Sequence, residues 1–180
     1  MSDAQVIAET RVWLERAVIG LNLCPFAKSE HVHGRIRYVV SPAQTADALL
    51  SHLRAELEGL NEAEPAQRET TLLMHPEVLN DFLDYNDFLL DADMLLEDMG
   101  FGGVFQIASF HPDYQFAGTS ADDITNCSNR SPYPTLHLLR EASIDRAVEA
   151  FPEAEQIYAR NMETLQRLGW AGWRKLLAPA

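Results

Sequence analysis

The chain has 180 residues, 47% of them hydrophobic, and a formal net charge of −13 at pH 7. This length and composition predict one compact domain over residues 1–180, with a full core. The negative charge argues against nucleic acid and membrane surfaces as partners, because both reward clustered Lys and Arg. The sequence shows neither a signal-peptide pattern nor an apolar run of about 18 residues. We therefore expect a cytoplasmic protein with reduced cysteines.

The first third of the chain predicts a helix, a turn, a strand and a second helix. Residues 3–21 carry apolar side chains at helical spacing. Residues 22–25 break this spacing, which places Cys24 on a turn. The β-branched and aromatic residues of RIRYVV at 35–40 predict a strand, and 43–60 predicts an amphipathic helix.

The middle third predicts a polar loop, a strand, a helix and a third strand. Residues 61–68 are polar, 70–74 (TTLLM) predict a strand, and 77–99 predict a long acidic helix that ends at glycines. VFQIASF at 104–110 predicts the third strand. The expected inward face of the long helix consists of Leu79, Phe82, Leu83, Leu89, Leu90, Leu96 and Met99. Its expected solvated face carries Asp81, Asp84, Asp87 and Asp91.

The last third begins with a polar, irregular segment at 113–131. Two helical patterns follow at 134–150 and 153–168, with Pro152 between them. An irregular segment of nearly 20 residues is uncommon in a compact domain unless it is functional or disordered. Because this one also contains aromatic residues and prolines, we expect it to be ordered and functional.

Each predicted strand is followed by a small or polar residue and a proline. The three prolines, Pro42, Pro76 and Pro112, are spaced at 34 and 36 residues, about the length of one strand–helix unit. Parallel strands joined by right-handed crossovers produce this spacing. The sequence therefore predicts an α/β fold, with a small, mostly parallel sheet of three or more strands flanked by helices and followed by C-terminal helices. In such a sheet, ligands bind at the carboxyl edge, which would bring Ser41 and two histidines together.

His111 is the first candidate for catalysis, because it ends a strand at that edge. A histidine titrates near neutral pH, and Asp113 could orient its ring. The structural alternative is a histidine that caps the next turn, with Asp113 starting an Asx-turn. His75 occupies the equivalent position after the second strand and is a candidate for substrate binding.

Arg130 is a candidate for anion binding. Asn129, Arg130 and Ser131 precede a predicted helix, and the free N–H groups of a helix N-terminus attract phosphate or carboxylate. The alternative is an ion pair between Arg130 and a nearby acidic residue, such as Asp122 or Asp123.

Three further residues complete the candidate binding site. His137 and Arg140 are three residues apart, so they would share one face of the predicted helix 134–150. Tyr114 lies in the irregular segment and offers an aromatic contact.

Cys24 is either a reactive thiol or a small core residue. A nucleophilic thiol needs a neighbour that lowers its pKa, such as a histidine brought close by the fold. The candidate ligands for a metal ion are His75, His111, Asp113 and His137, but they do not occur at the spacings of known metal sites, so we assign no metal ligand. No motif identifies a cofactor.

Four stretches of the sequence resemble one known family. They are GLNLCPFA at 20–27, ETTLLMHP at 69–76, IASFHPDYQFAGT at 107–119 and NRSPYPTLHLLREASI at 129–144. Together they are similar to the bacterial domain-of-unknown-function 1415 family over nearly the whole chain. The resemblance supports a single domain of this length, and it implies no activity, catalytic residue or cofactor.

The leading hypothesis is an enzyme that acts on a small anionic molecule carrying a phosphate or carboxylate. His111 would be the acid/base, Asp113 its orienting partner, and Arg130 with Ser131 the anion clamp.

Two other hypotheses stay open. One is a metal-dependent hydrolase. The other is a non-catalytic module that binds a metabolite or a protein through exposed aromatic residues of the loop, namely Tyr114, Phe116 and Tyr133.

Overall fold

The computed structural model describes residues 2–150 and 156–178. In chain order these residues form α1 (Asp3–Trp13), a π-helix (Leu14–Ile19), α2 (Ala27–Val32), β1 (Ile36–Val40), α3 (Ala46–Glu62), β2 (Thr70–Met74), α4 (Phe82–Asp98), β3 (Phe105–Phe110), a 3₁₀ helix (Ile124–Ser128), β4 (Thr135–Arg140), α5 (Glu141–Ala150) and α6 (Ile157–Leu177).

The four strands form one sheet in the order β1-β2-β4-β3. β1 and β2 are parallel, whereas β4 is antiparallel to both of its neighbours. The predicted α/β class is confirmed, but the sheet is mixed rather than mostly parallel, because β4 lies between β2 and β3. Since β1, β2 and β3 still point the same way, their carboxyl ends do share one edge.

The predicted helix at 134–150 is wrong in its first part. Residues Thr135–Arg140 form β4, and the helix begins only at Glu141. A leucine-rich segment without Gly or Pro is locally compatible with both a helix and a strand. Here the strand prevails because its backbone pairs with β2 on one side and β3 on the other. In a strand, residues three apart point to opposite faces, so His137 and Arg140 do not share a face.

The same strand corrects the environment predicted for Arg130. Ser131 and Pro132 lead into β4 rather than into a helix, so the helix N-terminus that was expected to bind an anion together with Arg130 is not formed at these residues.

One face of the sheet packs against α3 and α4. Fully buried side chains of β2, β4, α3 and α4 form this core, among them Leu73, Leu136, Leu138, Leu53 and Tyr85. α4 begins at Phe82, and its cap, Asp81, accepts hydrogen bonds from the N–H groups of Leu83 and Asp84.

The inward face predicted for this helix is partly wrong. Leu83 and Leu90 are 71% and 66% exposed, and the buried positions are Tyr85, Phe88, Ala92, Leu95 and Leu96. The rotation follows from Tyr85, whose hydroxyl donates to the Thr135 carbonyl and accepts from the Phe110 N–H. The predicted solvated face is confirmed, since Asp81, Asp84, Asp87 and Asp91 are exposed.

The other face of the sheet is covered by α1, the π-helix, α2, α5 and α6. α6 extends well beyond the predicted 153–168 and is kinked at Gly169, whose φ of 62° suits glycine. Pro152 and the first residues of that predicted helix lie outside the described residues. In the described part of the chain, no helix has both the length and the apolar character that crossing a bilayer requires.

Candidate functional site

The two histidines predicted at the carboxyl edge both pack on Tyr85. The ring centroid of His75 is 5.7 Å from that of Tyr85, and the centroid of His111 is 5.1 Å away. Both histidines have no exposed surface. The edge therefore brings them together, as the strand–proline pattern predicts, but in a sealed core.

Backbone groups occupy both ring nitrogens of His111. Nε2 donates to the Leu79 carbonyl at 3.2 Å, and Nδ1 accepts from the Asp113 N–H at 3.0 Å. Burial lowers the pKa of His111, which keeps the ring neutral. The bond from Asp113 comes from its backbone, while its side chain is exposed. The catalytic role of the pair stays a prediction, and in this conformation no substrate can reach the ring.

His75 is held in a similar way. Its Nδ1 donates to the Val78 carbonyl at 2.9 Å, and burial lowers its pKa to about 4. Its Nε2 is buried and has no hydrogen-bond partner among the described residues. As with His111, the surrounding protein leaves the ring no exposed surface.

Arg130 fastens the loop that precedes β4. Its Nε donates to the Tyr114 carbonyl at 3.0 Å and its Nη2 to the Ala121 carbonyl at 2.7 Å. The guanidinium also lies over the Trp170 ring, 5.7 Å from its centroid. Within the described chain no carboxylate forms an ion pair with Arg130. Its guanidinium instead donates hydrogen bonds to backbone carbonyls of the loop.

Asn129, Ser131 and Tyr114 also bond or pack within the protein. The side-chain amide of Asn129 donates to the Ser109 carbonyl, and the Ser131 hydroxyl donates to the Tyr133 carbonyl. The Tyr114 ring packs against Phe82 and Phe116. Their role in substrate binding remains a prediction, and the contacts seen here order the loop.

A cavity of about 720 Å³ opens on the opposite face of the sheet. This volume is within the range of small-molecule sites. Its floor consists of alternate residues of the four strands, Ile36, Thr70, Leu72, Gln106, Ala108, Phe110, His137 and Leu139. Its walls come from the two N-terminal helical segments, the turn at 24–27 and α5, and they are mainly apolar.

His137 lies in the middle of the cavity floor, between Leu72 on β2 and Ala108 on β3. The methyl group of Ala108 is short, which leaves open space beside the imidazole. The Thr70 hydroxyl donates to the Leu138 carbonyl at 2.7 Å, so its oxygen accepts from His137 Nε2 at 2.5 Å. This fixes the tautomer and leaves His137 Nδ1 as an acceptor without a partner in the described chain. Burial lowers the pKa of His137 to about 4, so the ring is neutral.

Charged residues line one end of the cavity. Arg35 pairs with Glu30 at 2.8 Å, and Arg140 donates to the Leu60 and Ala63 carbonyls, at 2.7 Å each, on the far side of the sheet. Both guanidinium groups are therefore engaged within the protein.

Glu69 and Arg146 stand at the same end. Glu69 accepts a hydrogen bond from the Ser143 hydroxyl, and burial, with repulsion from Glu30, raises its pKa. Arg146 lies 3.9 Å from Glu69, and its side chain is 66% exposed. It is the arginine at this rim with most donors left for a ligand.

Cys24 lies in the wall of the cavity, on the predicted turn. The Ala27 N–H donates to the Cys24 backbone carbonyl at 3.3 Å, and burial raises the pKa of the Cys24 thiol. The thiol is therefore protonated at neutral pH. Both ends of this turn are fixed, by the π-helix before it and by α2 after it.

The candidate metal ligands of the sequence do not converge. His75 and His111 lie on the α4 side of the sheet and His137 on the cavity side. Over the residues that the structure describes, no three His, Cys, Asp or Glu side chains form a group suited to a metal ion.

Comparison with known protein families decides the family of the chain. A family model described as "Protein of unknown function (DUF1415)" matches residues 5–175. The chain belongs to this family. No curated protein and no solved structure matches it. The family resemblance predicted from the sequence is confirmed.

In this DUF1415 chain, the sequence indicated His137 and Arg140 as candidates but predicted them on a helix. It did not decide whether Cys24 is a reactive thiol or a small core residue. It missed Thr70 and Arg146. The apolar alternation of Thr135–Arg140 was the available signal for a strand, and hence for a histidine on a sheet face. Arg146 has no local signal, because only the packing of α5 brings it to the cavity rim.

Proposed function

We propose that this protein is an enzyme that binds a small organic acid with an apolar body in the cavity, and that His137 exchanges a proton with it. The observation that carries the proposal is the neutral, unpartnered Nδ1 of His137 at the centre of a mainly apolar cavity. This replaces His111 as the acid/base and keeps the anionic substrate class.

The apolar body of the ligand is expected to lie on Phe110 and Leu72, with Trp13 above it. Removing such surfaces from water contributes about 25 cal/mol per Å² of apolar area. A cavity of this size accommodates a body of medium length, such as an eight-carbon chain or a phenylpropyl group.

The acidic group is expected at the charged end, beside Arg146. Arg35 and Arg140 are committed to Glu30 and to backbone carbonyls, whereas Arg146 projects into solvent at the rim. A carboxylate there gains a charge-assisted hydrogen bond.

His137 would act as a proton acceptor, because its Nδ1 carries a lone pair at neutral pH. Thr70 orients the ring by accepting from Nε2, as a third group does in nucleophile–base arrangements. A proton taken up on Nδ1 would be stabilised by an anionic ligand nearby.

Titration calorimetry with butyrate, octanoate and 3-phenylpropanoate tests the proposal. We expect octanoate and phenylpropanoate to bind more tightly than butyrate. Arg146→Ala should weaken the binding of octanoate by about fivefold, which is what the loss of one exposed charge interaction costs. Arg54→Ala is the matched control, because Arg54 is exposed on α3, on the other side of the sheet. Equal loss in both variants, or no binding of any of the three acids, would contradict the proposal.

A further inference from the structure

We infer that the small acid bound in the cavity is an α-amino acid with an apolar side chain, and that Glu69 binds its ammonium group while Arg146 binds its carboxylate. The inference rests on the proposed function and names the substrate class of the same site. It makes Glu69 the residue that distinguishes an amino acid from a simple organic acid.

The carboxylate of Glu69 is the first argument, because it lines the cavity and has an oxygen to spare. Its side chain is 10% exposed, and the one Lys or Arg nitrogen of the described chain within 4 Å of it is Nη2 of Arg146, at 3.9 Å. The Ser143 hydroxyl donates to Oε1, whereas Oε2 accepts no hydrogen bond from the residues that the structure describes. A buried carboxylate is costly unless it is paired and hydrogen-bonded, so Oε2 suits a donor supplied by a ligand.

The charges around Glu69 favour a bound cation at this oxygen. Burial and the repulsion of Glu30 raise the pKa of Glu69 even though three arginines lie nearby. Two of these arginines are engaged elsewhere, since Arg35 pairs with Glu30 and Arg140 donates to backbone carbonyls. An ammonium group beside Oε2 would stabilise the charged carboxylate, which the arginines do only in part.

The spacing of Glu69 and Arg146 is the second argument. Oε1 of the glutamate and Nη2 of the arginine are 3.9 Å apart, so a negative and a positive group stand side by side at the cavity rim. Nη2 donates to the Ser143 hydroxyl at 2.8 Å, and Arg146 has further N–H groups for a carboxylate. An α-amino acid carries both of the opposite charges on one carbon and can meet both residues. A simple organic acid would meet Arg146 alone.

The strand register gives the direction in which such a ligand lies. Glu69 directly precedes Thr70, which stands in the row of the sheet next to the charged end. His137 is one cavity-facing row further along, about 7 Å away, because two residues of a strand span this distance. Phe110 lies one row beyond His137. An amino acid with its head at Glu69 therefore extends past the imidazole and reaches the Phe110 ring.

Titration calorimetry of the full chain at pH 7 with L-phenylalanine and 3-phenylpropanoate tests the inference, because the two ligands differ only in the amino group. We expect L-phenylalanine to bind about tenfold more tightly, since its ammonium gains a charge-assisted hydrogen bond to Glu69. 2-Phenylethylamine, which lacks the carboxylate, should bind about fivefold more weakly than L-phenylalanine. Equal binding of this amine and L-phenylalanine would overturn the pairing of the two charges.

Glu69→Gln tests the residue itself. The glutamine oxygen can still accept the Ser143 hydroxyl, so the melting temperature should stay close to that of wild type. In this variant L-phenylalanine should bind no more tightly than 3-phenylpropanoate. Glu58→Gln, the matched control, changes an exposed glutamate of α3 on the other side of the sheet and should keep the preference. A preference for L-phenylalanine that survives Glu69→Gln would overturn the role of Glu69.

The binding of 3-phenylpropanoate to wild type separates this inference from the proposed function, whether or not the variant folds. If 3-phenylpropanoate binds and L-phenylalanine binds no better, the amino-acid class is overturned and the organic-acid site stands. If neither ligand binds, both fail.

Discussion

The histidines on the two faces of the sheet lie in opposite environments. On the α4 face, His75 and His111 are fully buried, and backbone groups hold three of their four ring nitrogens. On the other face, His137 is half-buried, and its Nδ1 opens into a cavity. All three rings are neutral because burial lowers their pKa. Chemistry thus depends on whether a ring nitrogen is left free, and a lowered pKa alone does not identify a site.

The same contrast applies to packing. Beneath α4 the core is continuous, and Tyr85 fills the space between β3 and β4 with both of its hydrogen bonds satisfied. Above the other face, the short side chain of Ala108 leaves space next to His137. A sealed face stabilises the fold, whereas an open one gives up some packing to admit a ligand.

Tyr85→Phe should have the largest effect on the sealed face. It removes both hydrogen bonds of the Tyr85 hydroxyl, the one it donates to the Thr135 carbonyl and the one it accepts from the Phe110 N–H, so we expect a loss of about 3 kcal/mol in the free energy of unfolding. Urea denaturation followed by circular dichroism measures it. Tyr158→Phe, at a ring that is 56% exposed, is the matched control and should change stability by less than about 0.5 kcal/mol. If Tyr85→Phe leaves the free energy of unfolding unchanged, this face of the sheet is not closed to water.

One substitution made on both faces should give opposite results. Ala92→Leu adds three carbons where the core is full, and overpacking should cost about 2.5 kcal/mol. Ala108→Leu adds the same three carbons to the cavity, so the melting temperature should stay unchanged or rise. The binding of octanoate should weaken at least about tenfold, because the leucine side chain fills the space beside His137. If Ala108→Leu is the more destabilising of the two, the cavity is not open at that point.

Acid should destabilise the protein through its buried histidines. Unfolded, His75 and His137 bind a proton near pH 6.5, but folded they do so only near pH 4. As pH falls from 6.5 toward 4, the unfolded state binds more protons, so each histidine should remove about 2 kcal/mol of stability by pH 5.

Urea denaturation at pH 7 and pH 5 measures this loss. His137→Gln should recover about 2 kcal/mol of it, the share of that one ring, while His75 and His111 keep theirs. Saturating octanoate should also reduce the loss in wild type, because a carboxylate in the cavity raises the pKa of His137. A stability that is equal at both pH values would contradict the account.

The sequence specified the first three strands and the helices between them because their signals are local. β-branched runs followed by proline mark where β1, β2 and β3 end. β4 could not be assigned this way, since its pairing partners lie 65 residues upstream in β2 and 30 upstream in β3, and its leucines suit a helix equally well.

The candidate site was harder to predict than the fold, for the same reason. His137 and Cys24 stood out by residue type, but the cavity that they share depends on the register that puts Ala108 opposite His137. Arg146 reaches the rim through α5 packing. His75 and His111 were expected at the site because they follow strands at the carboxyl edge of the sheet, and no local pattern of the sequence shows that Tyr85 would cover them.

Histidine side-chain NMR with octanoate tests the central claim most directly, because it reads each ring separately in one titration. The open-face account predicts that octanoate shifts the ring signals of His137 and raises its pKa above about 4, while the signals of His75 and His111 stay in place. Shifts at His75 or His111 with His137 unmoved would contradict it and return the site to the carboxyl edge of the sheet.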